Sequence, residues 1–361
     1  MRRPLLVMMA LFFAAAFALP AALPVSAEEP DVPDETDEPS YVFVPYRDQL
    51  DANGRAIFDA MESAGADDVG LFVPFPIALT ATADGPDAAE AYVLGQAKLA
   101  VDNAFKALRL ESPMAYWGWR MSYITYDFDM TASGNTATVA SVSLTVSFDK
   151  YPKDPETEEF QGIQKMLDDL NAALDEFSTD SETARGKVLD INNYITKLAR
   201  YDPGFGEPEE SPYSSDAYGV FVDPDHLAVC LGYSKAFLLL CEREGIQCAI
   251  VEGTALANMA DHAWNYVLMD DGGWYAVDVT WNDGDGDKYF LMGAAEFFGT
   301  HHQGVYLGSG AIPYPFKSPV LTLPSYDWGP PPWYMSYAWA LGFLIAGLIA
   351  FALYRFVKKG G

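Results

Sequence analysis

The sequence predicts an α+β fold in which a helix that begins at a cysteine packs on an antiparallel sheet. Leu231–Glu244, directly after Cys230, has apolar residues at helical spacing, and Gly245 then provides a typical helix stop. Two β-branched and aromatic segments, Ala263–Met269 and Trp274–Trp281, flank the turn signal Asp-Asp-Gly-Gly and predict a β-hairpin. We expect this helix and this hairpin to form one core, with a smaller α+β domain before it.

Residues 41–180 predict helices and one hairpin but carry no chemical motif. Helical spacing occurs around residues 46–61, 90–110 and 160–177. Between the last two, apolar and polar residues alternate on both sides of Ser133-Gly134-Asn135, which is typical of an antiparallel hairpin with one buried face. We expect these residues to form an N-terminal α+β domain of unknown function that positions substrate or supports the folding of the rest.

The position of Cys230 at the start of a helix makes it a candidate nucleophile. Unpaired backbone N–H groups and the helix dipole favour an anion at this end, and the thiolate is the reactive form of cysteine. The same N–H groups can bind the oxyanion that forms when a thiolate attacks a carbonyl, and Gly232 would let a substrate approach closely. A cysteine is otherwise most often a small buried apolar residue. Cys241 and Cys248 fit that description, and we interpret them as buried thiols, with a disulfide between them as the alternative.

The length of the hairpin loop decides whether His262 and Asp278 can meet, because side chains alternate between the two faces of a strand. A two-residue loop would place them on opposite faces. A three-residue loop, Asp270–Gly272, pairs His262 with Thr280 and leaves Asp278 as its diagonal neighbour on the same face. Such a loop needs a left-handed residue at its end, and Gly272 supplies it. We therefore predict the three-residue loop.

We also expect Asp278 to have a hydrogen-bonding or charged partner, because it interrupts an apolar segment between Val277 and Val279. A carboxylate buried in such a segment is costly unless it is hydrogen-bonded or paired. We expect His262 to be that partner, although a histidine or an aspartate taken alone would more often be structural. The later pair His301-His302 is expected to lie in a solvated loop.

Several short motifs in a fixed order resemble the transglutaminase-like superfamily, over roughly residues 183–302. In chain order they are Tyr201-Asp202, Cys230 followed by Gly232-Tyr233, Gly245–Cys248, Gly253, His262–Asn265, Trp274–Trp281 and Tyr289–Leu291. The resemblance implies a papain-like core with Cys230 as nucleophile, His262 as general base and Asp278 orienting the base. Asn192-Asn193 departs from the family, whose bacterial members tend to have a His-Asp pair there, but that position is not catalytic.

The resemblance implies a thiol enzyme that acts on amide bonds of proteins or cell-wall peptides through a thioester. Cross-linking, deamidation and peptide hydrolysis all stay open, because the sequence does not show what resolves the thioester. The alternative is a non-catalytic surface module that keeps the fold for binding. The complete set of Cys230, His262 and Asp278 favours the enzyme. We expect no cofactor for this chemistry.

Composition excludes several kinds of partner. The net charge of −29 argues against binding nucleic acid or other phosphate-rich surfaces. No glycine-rich phosphate loop follows a strand, and no CxxC or HExxH spacing indicates zinc. Asp283, Asp285 and Asp287 alternate like the start of a calcium loop, but Lys288 and Ala294 occupy the positions where Gly and Glu are required. We expect a solvated loop there, with a bound cation as the alternative, and no metal site.

Both ends of the chain predict targeting segments. Arg2-Arg3, an apolar run and a small-residue site at Val25–Ala27 are typical of a secretory signal peptide, with an uncleaved anchor as the alternative. Residues 333–354 contain no charge, have aromatic residues at their start and are followed by basic residues, which predicts a single membrane span rather than a buried core helix. The catalytic domain would then be extracellular and the short C-terminus cytoplasmic.

The expected organisation along the chain follows from these observations. It is a signal peptide at 1–27, an acidic disordered spacer at 28–40, the N-terminal domain at 41–180, the catalytic domain at 181–305, a proline-rich linker at 306–332, the transmembrane helix at 333–354 and a basic tail at 355–361.

Overall fold

The structure, a computed structural model, describes residues 42–63, 73–115, 122–148, 158–207, 210–304 and 315–327. The expected signal peptide, acidic spacer, transmembrane helix and basic tail lie outside these residues. Within them, no helix is both long and apolar enough to cross a membrane. The fold is α+β, which confirms the predicted class.

The N-terminal half contains a long helix beside a three-stranded antiparallel sheet with strand order β1-β3-β2. Its elements are α1 (Tyr46–Gln49), α2 (Ala52–Ser63), β1 (Val73–Thr82), α3 (Pro86–Glu111), β2 (Ser122–Ser133), β3 (Thr136–Phe148) and α4 (Glu158–Asp175). The predicted hairpin is β2–β3, and it turns at Gly134, whose φ of +59° is left-handed. Strand β1 was not predicted. Pro74 and Pro76 cannot donate to a ladder, which restricts this strand to the edge where it lies.

The C-terminal half is built around a second antiparallel sheet of four strands, in the order β8-β7-β6-β9. Its elements are α5 (Ala184–Leu198), β4 (Arg200–Tyr201), α6 (Ala217–Phe221), β5 (Leu227–Ala228), α7 (Cys230–Arg243), β6 (Cys248–Ala255), β7 (Ala260–Leu268), β8 (Trp274–Val277), α8 (Val279–Asp285), α9 (Ala294–Phe297) and β9 (His301–Gln303). The short strands β4 and β5 pair in parallel beside the start of α7.

Helix α7 is the central helix of this half and packs on β6 and β7. Every residue from Leu231 to Cys241 is buried, so the helix is surrounded by protein rather than amphipathic. The chain leaves the helix at Gly245 with a φ of +72°, as its sequence predicted. The predicted arrangement of a cysteine-bearing helix on an antiparallel sheet is therefore confirmed.

The predicted hairpin register is also confirmed. Leu268 pairs with Trp274, the N–H of Met269 donates to the Gly273 carbonyl at 2.9 Å, and Gly272 has a φ of +82°. The loop therefore has three residues and ends in a left-handed glycine.

The expectation that the second strand of this hairpin continues to residue 281 is wrong. Strand β8 ends at Val277, and Asp278 is the N-cap of α8, with its side chain accepting from the Trp281 N–H at 3.1 Å. An aspartate before a helix satisfies one of the free N–H groups of the first turn. This local bond ends the strand, so the expected pairing of His262 with Thr280 does not form.

Residues from both halves of the chain share one hydrophobic core. Phe58 and Leu108 from the N-terminal half belong to the same buried cluster as Tyr233 and Phe237 of α7. A hydrogen bond of 2.7 Å from the Tyr46 hydroxyl to the Ile250 carbonyl also joins them. The N-terminal half is thus packed directly on the elements that carry the site.

Part of the segment expected as a linker also packs on this core. Within residues 315–327, Phe316 and Leu321 are buried, and the Thr322 N–H donates to the Trp274 carbonyl at 2.9 Å. This segment thereby covers one end of β8.

Candidate active site

Cys230 is the first residue of α7, as predicted. The preceding Val229 has an extended conformation and no capping side chain, so the first N–H groups of the helix are not capped by it. Cys230 is partly exposed, whereas the eleven residues that follow it are buried. The thiol therefore lies where solvent, and hence a substrate, can reach the positive end of a buried helix.

Gly232 does not serve the purpose expected from the sequence. A Cβ atom at this position would lie 2.3 Å from the Ser214 carbonyl oxygen, so the space beside the glycine is already filled by protein. The same carbonyl accepts from the Val229 N–H at 2.8 Å. Gly232 thus allows the loop at Ser214 to pack against the start of α7, and it is not an open approach for substrate.

The structure brings together all three residues that the sequence selected. The Nε2 atom of His262 lies 2.7 Å from Oδ2 of Asp278, and the Cys230 side chain is close enough to the His262 ring to raise its pKa. Because Nε2 faces the carboxylate, Nδ1 is the ring nitrogen left for the thiol. The result is a continuous chain of thiol, imidazole and carboxylate.

His262 and Asp278 stabilise each other in their charged forms. Burial lowers the pKa of His262, but the charge of Asp278, the hydrogen bond to it and the contact with Cys230 outweigh burial and raise it overall. Burial likewise raises the pKa of Asp278, and the two histidines beside it lower it below its usual value. An imidazolium at His262 paired with a carboxylate at Asp278 is therefore the favoured state.

His301 is a site residue that the sequence analysis missed, and the expectation that it is solvated is wrong. Only 1% of it is exposed, and its Nε2 lies 3.1 Å from the same Oδ2 of Asp278 that contacts His262. Strand β9, which carries it, pairs with β6 and is too short to show an alternating pattern. The sequence therefore contained no signal that places His301 beside Asp278, whereas its neighbour His302 is exposed as expected.

Aromatic rings enclose both imidazoles. Trp281 stacks on His262 with a centroid distance of 5.2 Å and lies 4.4 Å from His301. Phe297 stacks on His301 at 4.0 Å with the ring planes only 7° apart, and Trp264 covers an edge at 5.0 Å. This surround excludes water from Asp278, which strengthens its interactions with both rings.

Helix α8, which Asp278 caps, is held by a network of side-chain amides. Asn282 accepts from the Tyr289 N–H at 2.8 Å and donates to Asn192 at 2.9 Å. Asn192 is buried and belongs to the asparagine pair in which the sequence departs from the family pattern. The departure thus has a structural role, since Asn192 anchors the helix whose first turn fixes Asp278.

The acidic segment beside the site is partly ordered rather than a solvated loop throughout. Helix α8 extends to Asp285, and the Tyr233 hydroxyl donates to Asp283 at 2.7 Å. Asp285 and Asp287 are exposed, as expected. Asp283 is therefore bound to the helix that carries the thiol.

Within the described residues, Oδ2 of Asp278 and the Nε2 atoms of His262 and His301 lie within 4.8 Å of one another, as metal ligands could. Zinc at about 2.0–2.1 Å from each of three ligands in tetrahedral geometry would hold them roughly 3.3 Å apart. The 2.7 Å contact between His262 and Asp278 is shorter than this, and both rings approach the same oxygen. The geometry therefore fits hydrogen bonds better than a metal centre.

The other two cysteines lie away from the catalytic groups, at the far end of α7. Both are free in the structure; Cys241 is buried as expected, whereas Cys248 is only half-buried. Burial, and then the neighbouring Cys248, raise the pKa of Cys241. Cys241 is therefore held as an unreactive thiol.

Comparison with known proteins agrees with the geometry. The sequence model of the Transglutaminase-like superfamily matches residues 171–279, a range that contains Cys230, His262 and Asp278. No curated protein is significantly similar in sequence.

Three solved structures match parts of this chain. A TGase is 19% identical, with 44% of this chain and 43% of that chain covered and a TM-score of 0.28. A protein assigned as a cysteine protease from Cytophaga hutchinsonii is 12% identical, with 50% and 68% covered and a TM-score of 0.26. The periplasmic domain of TgpA from Pseudomonas aeruginosa, bound to ethylmercury, is 12% identical, with 46% and 67% covered and a TM-score of 0.23.

The chain thus spans less than half the length of that TGase and about two thirds of the other two chains. The family match, in contrast, falls on the segment that carries the thiol, the imidazole and the carboxylate. Residues 171–279 therefore form a transglutaminase-like domain.

Proposed function

We propose that this protein is a thiol acyltransferase or hydrolase that acts on amide bonds of proteins or peptides through a thioester on Cys230. The observation that carries the proposal is that Cys230, at the start of α7, lies beside His262, whose ring is hydrogen-bonded to Asp278 at 2.7 Å. A nucleophile, a base and a group that orients the base are the parts required for acyl transfer.

In the first step the thiolate of Cys230, whose proton His262 holds at Nδ1 as an imidazolium, attacks the amide carbonyl. The carbonyl oxygen becomes an oxyanion, which N–H groups at the start of α7 stabilise. Asp278 holds the ring through Nε2 and stabilises its positive charge. His262 then returns its proton to the departing nitrogen, and ammonia or an amine leaves the thioester behind.

In the second step an amine or water attacks the thioester, with His262 removing a proton from the attacking group. An amine from a lysine side chain would give a cross-link, whereas water would give deamidation or peptide hydrolysis. The thiolate of Cys230 is released and the cycle is complete.

The ends of the sequence support a location at the cell surface. A signal peptide at 1–27 and a single span at 333–354 would leave the catalytic domain outside the membrane and a short tail in the cytoplasm. Proteins and cell-wall peptides would then be the accessible substrates, and the net charge of −29 disfavours nucleic acid.

The proposal is tested by two assays on the purified full-length protein. One measures incorporation of a fluorescent primary amine into a glutamine-containing protein, and the other measures release of ammonia or of new amino termini. Cys230→Ala should abolish every activity found, whereas Cys241→Ser, a change in a thiol away from the catalytic groups, should retain it. Equal activity in Cys230→Ala and the unmodified protein would refute the proposal.

A further inference from the structure

We propose that His301 is a positioning residue of this site. It holds Asp278 through Oδ2 and limits how strongly that carboxylate stabilises the protonated ring of His262. The proposal deepens the proposed function, because its effect on turnover presupposes acyl transfer by Cys230. Its effect on the imidazole of His262 can be measured without any substrate.

The first support is the way in which Asp278 is held. Its Oδ1 accepts from the Trp281 N–H at 3.1 Å, and its Oδ2 accepts from His262 at 2.7 Å and from His301 at 3.1 Å. The residue is completely buried, so no water replaces a lost partner. Without His301, Oδ2 would have His262 as its single donor, and the carboxylate could rotate about its last bond.

The second support is the proton arrangement at His301. To donate to Asp278, its ring must carry a proton on Nε2, and a neutral ring must then accept at Nδ1. The Thr300 hydroxyl lies 2.8 Å from Nδ1 and 3.2 Å from the Phe297 carbonyl, and the proposal requires that it donates its hydrogen to Nδ1. Burial, and the positive charge of His262, lower the pKa of His301 although Asp278 opposes this, so the neutral ring is favoured. With this donation the neutral ring carries its hydrogen on Nε2 and points it at Asp278.

The third support is the rigidity of the ring. The His301 ring stacks on Phe297 at 4.0 Å and contacts the tilted ring of Trp281 at 4.4 Å, and its backbone pairs with Ala255 in the sheet. A donor that is already fixed by packing orients a neighbouring group with little loss of entropy. His301 is thus better placed to orient Asp278 than an exposed side chain would be.

Among the residues that the structure describes, few titratable groups face the pair of His301 and Asp278. Besides His262 on β7, they are Cys230 at the start of α7, which contacts His262, and Tyr289 after α8, whose ring is 5.9 Å from His301. The nearby carboxylates Glu252 and Asp261 interact instead with Lys106 of α3. These last three groups stay the same in the variants below, so a change in the titration of His262 reports on the Asp278 contact.

The direction of the effect follows from charge. A second donor on Oδ2 spreads the negative charge of Asp278, and less of it then acts on the His262 ring. Removing this donor should make His262 hold its proton more strongly, by roughly one pH unit in its titration midpoint. It should also lower kcat about tenfold or more with little change in KM, because the base loses its fixed orientation.

The experiment is an NMR titration of labelled imidazoles in the full-length protein, which has only four histidines. His301→Phe keeps a ring for the stack but removes the donor, and His301→Gln restores an N–H donor at similar reach. Thr300→Val removes the group that selects the tautomer, and His302→Phe is the matched control on the exposed neighbour. We expect a raised midpoint of His262 in His301→Phe and Thr300→Val, and a midpoint near that of the unmodified protein in His301→Gln and His302→Phe.

An unchanged midpoint in folded His301→Phe would overturn the proposal, as would equal loss of stability in all His301 variants with no change in the midpoint. If His301→Phe fails to fold, Thr300→Val decides the question by the same criterion. Absence of acyl transfer in the unmodified protein would refute the proposed function alone, since the NMR titration would still test His301.

Discussion

His262 and Asp278 are joined by a 2.7 Å hydrogen bond between Nε2 and Oδ2, while the other oxygen of the same carboxylate caps helix α8. One side chain therefore both starts a helix and orients the candidate base. The two tasks use different oxygens, so an asparagine can retain the cap although it cannot supply the negative charge. This separation makes the two contributions of Asp278 measurable one at a time.

Replacement of Asp278 by asparagine should lower kcat by at least a hundredfold, roughly as loss of the orienting carboxylate does in triad enzymes. Stability should change less in Asp278→Asn than in Asp278→Ala, because asparagine is a good N-cap and loss of a cap costs about 1 kcal/mol. Turnover assays and urea unfolding of both variants would measure the two effects. Comparable activity in Asp278→Asn and the unmodified protein would contradict the assigned role.

Stability should depend on pH through His262. Its pKa is raised in the folded protein, so the imidazolium is stabilised by folding, and this contribution is fully present below the unfolded-state value of about 6.5. The contribution is lost as the pH rises through the folded-state pKa. The stability advantage of the unmodified protein over His262→Asn should therefore shrink from neutral to alkaline pH. Urea unfolding across this range would measure it, and an advantage that grows with pH would show that the sign is wrong.

Cys230 should react with iodoacetamide faster than Cys241, because it is partly exposed at the start of α7 beside His262, which can hold the thiol proton. Cys241 should stay unmodified in the folded protein, because burial raises its pKa. Mass spectrometry of the modified peptides would measure each rate. In His262→Asn, Cys230 should react more slowly than it does in the unmodified protein. If Cys230 instead reacts at the same rate in His262→Asn and in the unmodified protein, the chain is better described as a binding module.

Gly253 should be intolerant of substitution. A Cβ atom there would lie 2.1 Å from the His302 carbonyl and 2.6 Å from the Trp264 ring, so Gly253→Ala must displace β9 from β6. We expect a loss of about 1–3 kcal/mol, the usual range for overpacking, together with weaker orientation of Asp278 by His301. Thermal and urea unfolding would measure the loss.

Gly95→Ala is the matched control for this change. Gly95 lies within α3, and a Cβ atom there has nothing within 4 Å. The control should stabilise the protein by roughly 0.5–1 kcal/mol, because alanine is the better helix former. Equal stability of Gly253→Ala and Gly95→Ala would show that β9 can move without cost.

The features that depend on local sequence patterns could be predicted without the structure. The helix after Cys230, its end at Gly245 and the three-residue loop that closes at Gly272 all follow from short-range periodicity and turn chemistry. The candidate triad follows from residue types placed on those elements. Each of these signals lies within a few residues of the feature it predicts, and so it can be found without the tertiary structure.

The features that depend on contacts between distant segments are visible only in the folded protein. His301 reaches Asp278 because β9 pairs with β6, and Asn192 anchors α8 from a helix far earlier in the chain. Asp278 was expected on a strand, but its own capping bond to the next turn ended that strand first. Pairing and burial of this kind depend on which segments pack together in the folded core. The residues next to His301 in the sequence therefore do not predict its contact with Asp278.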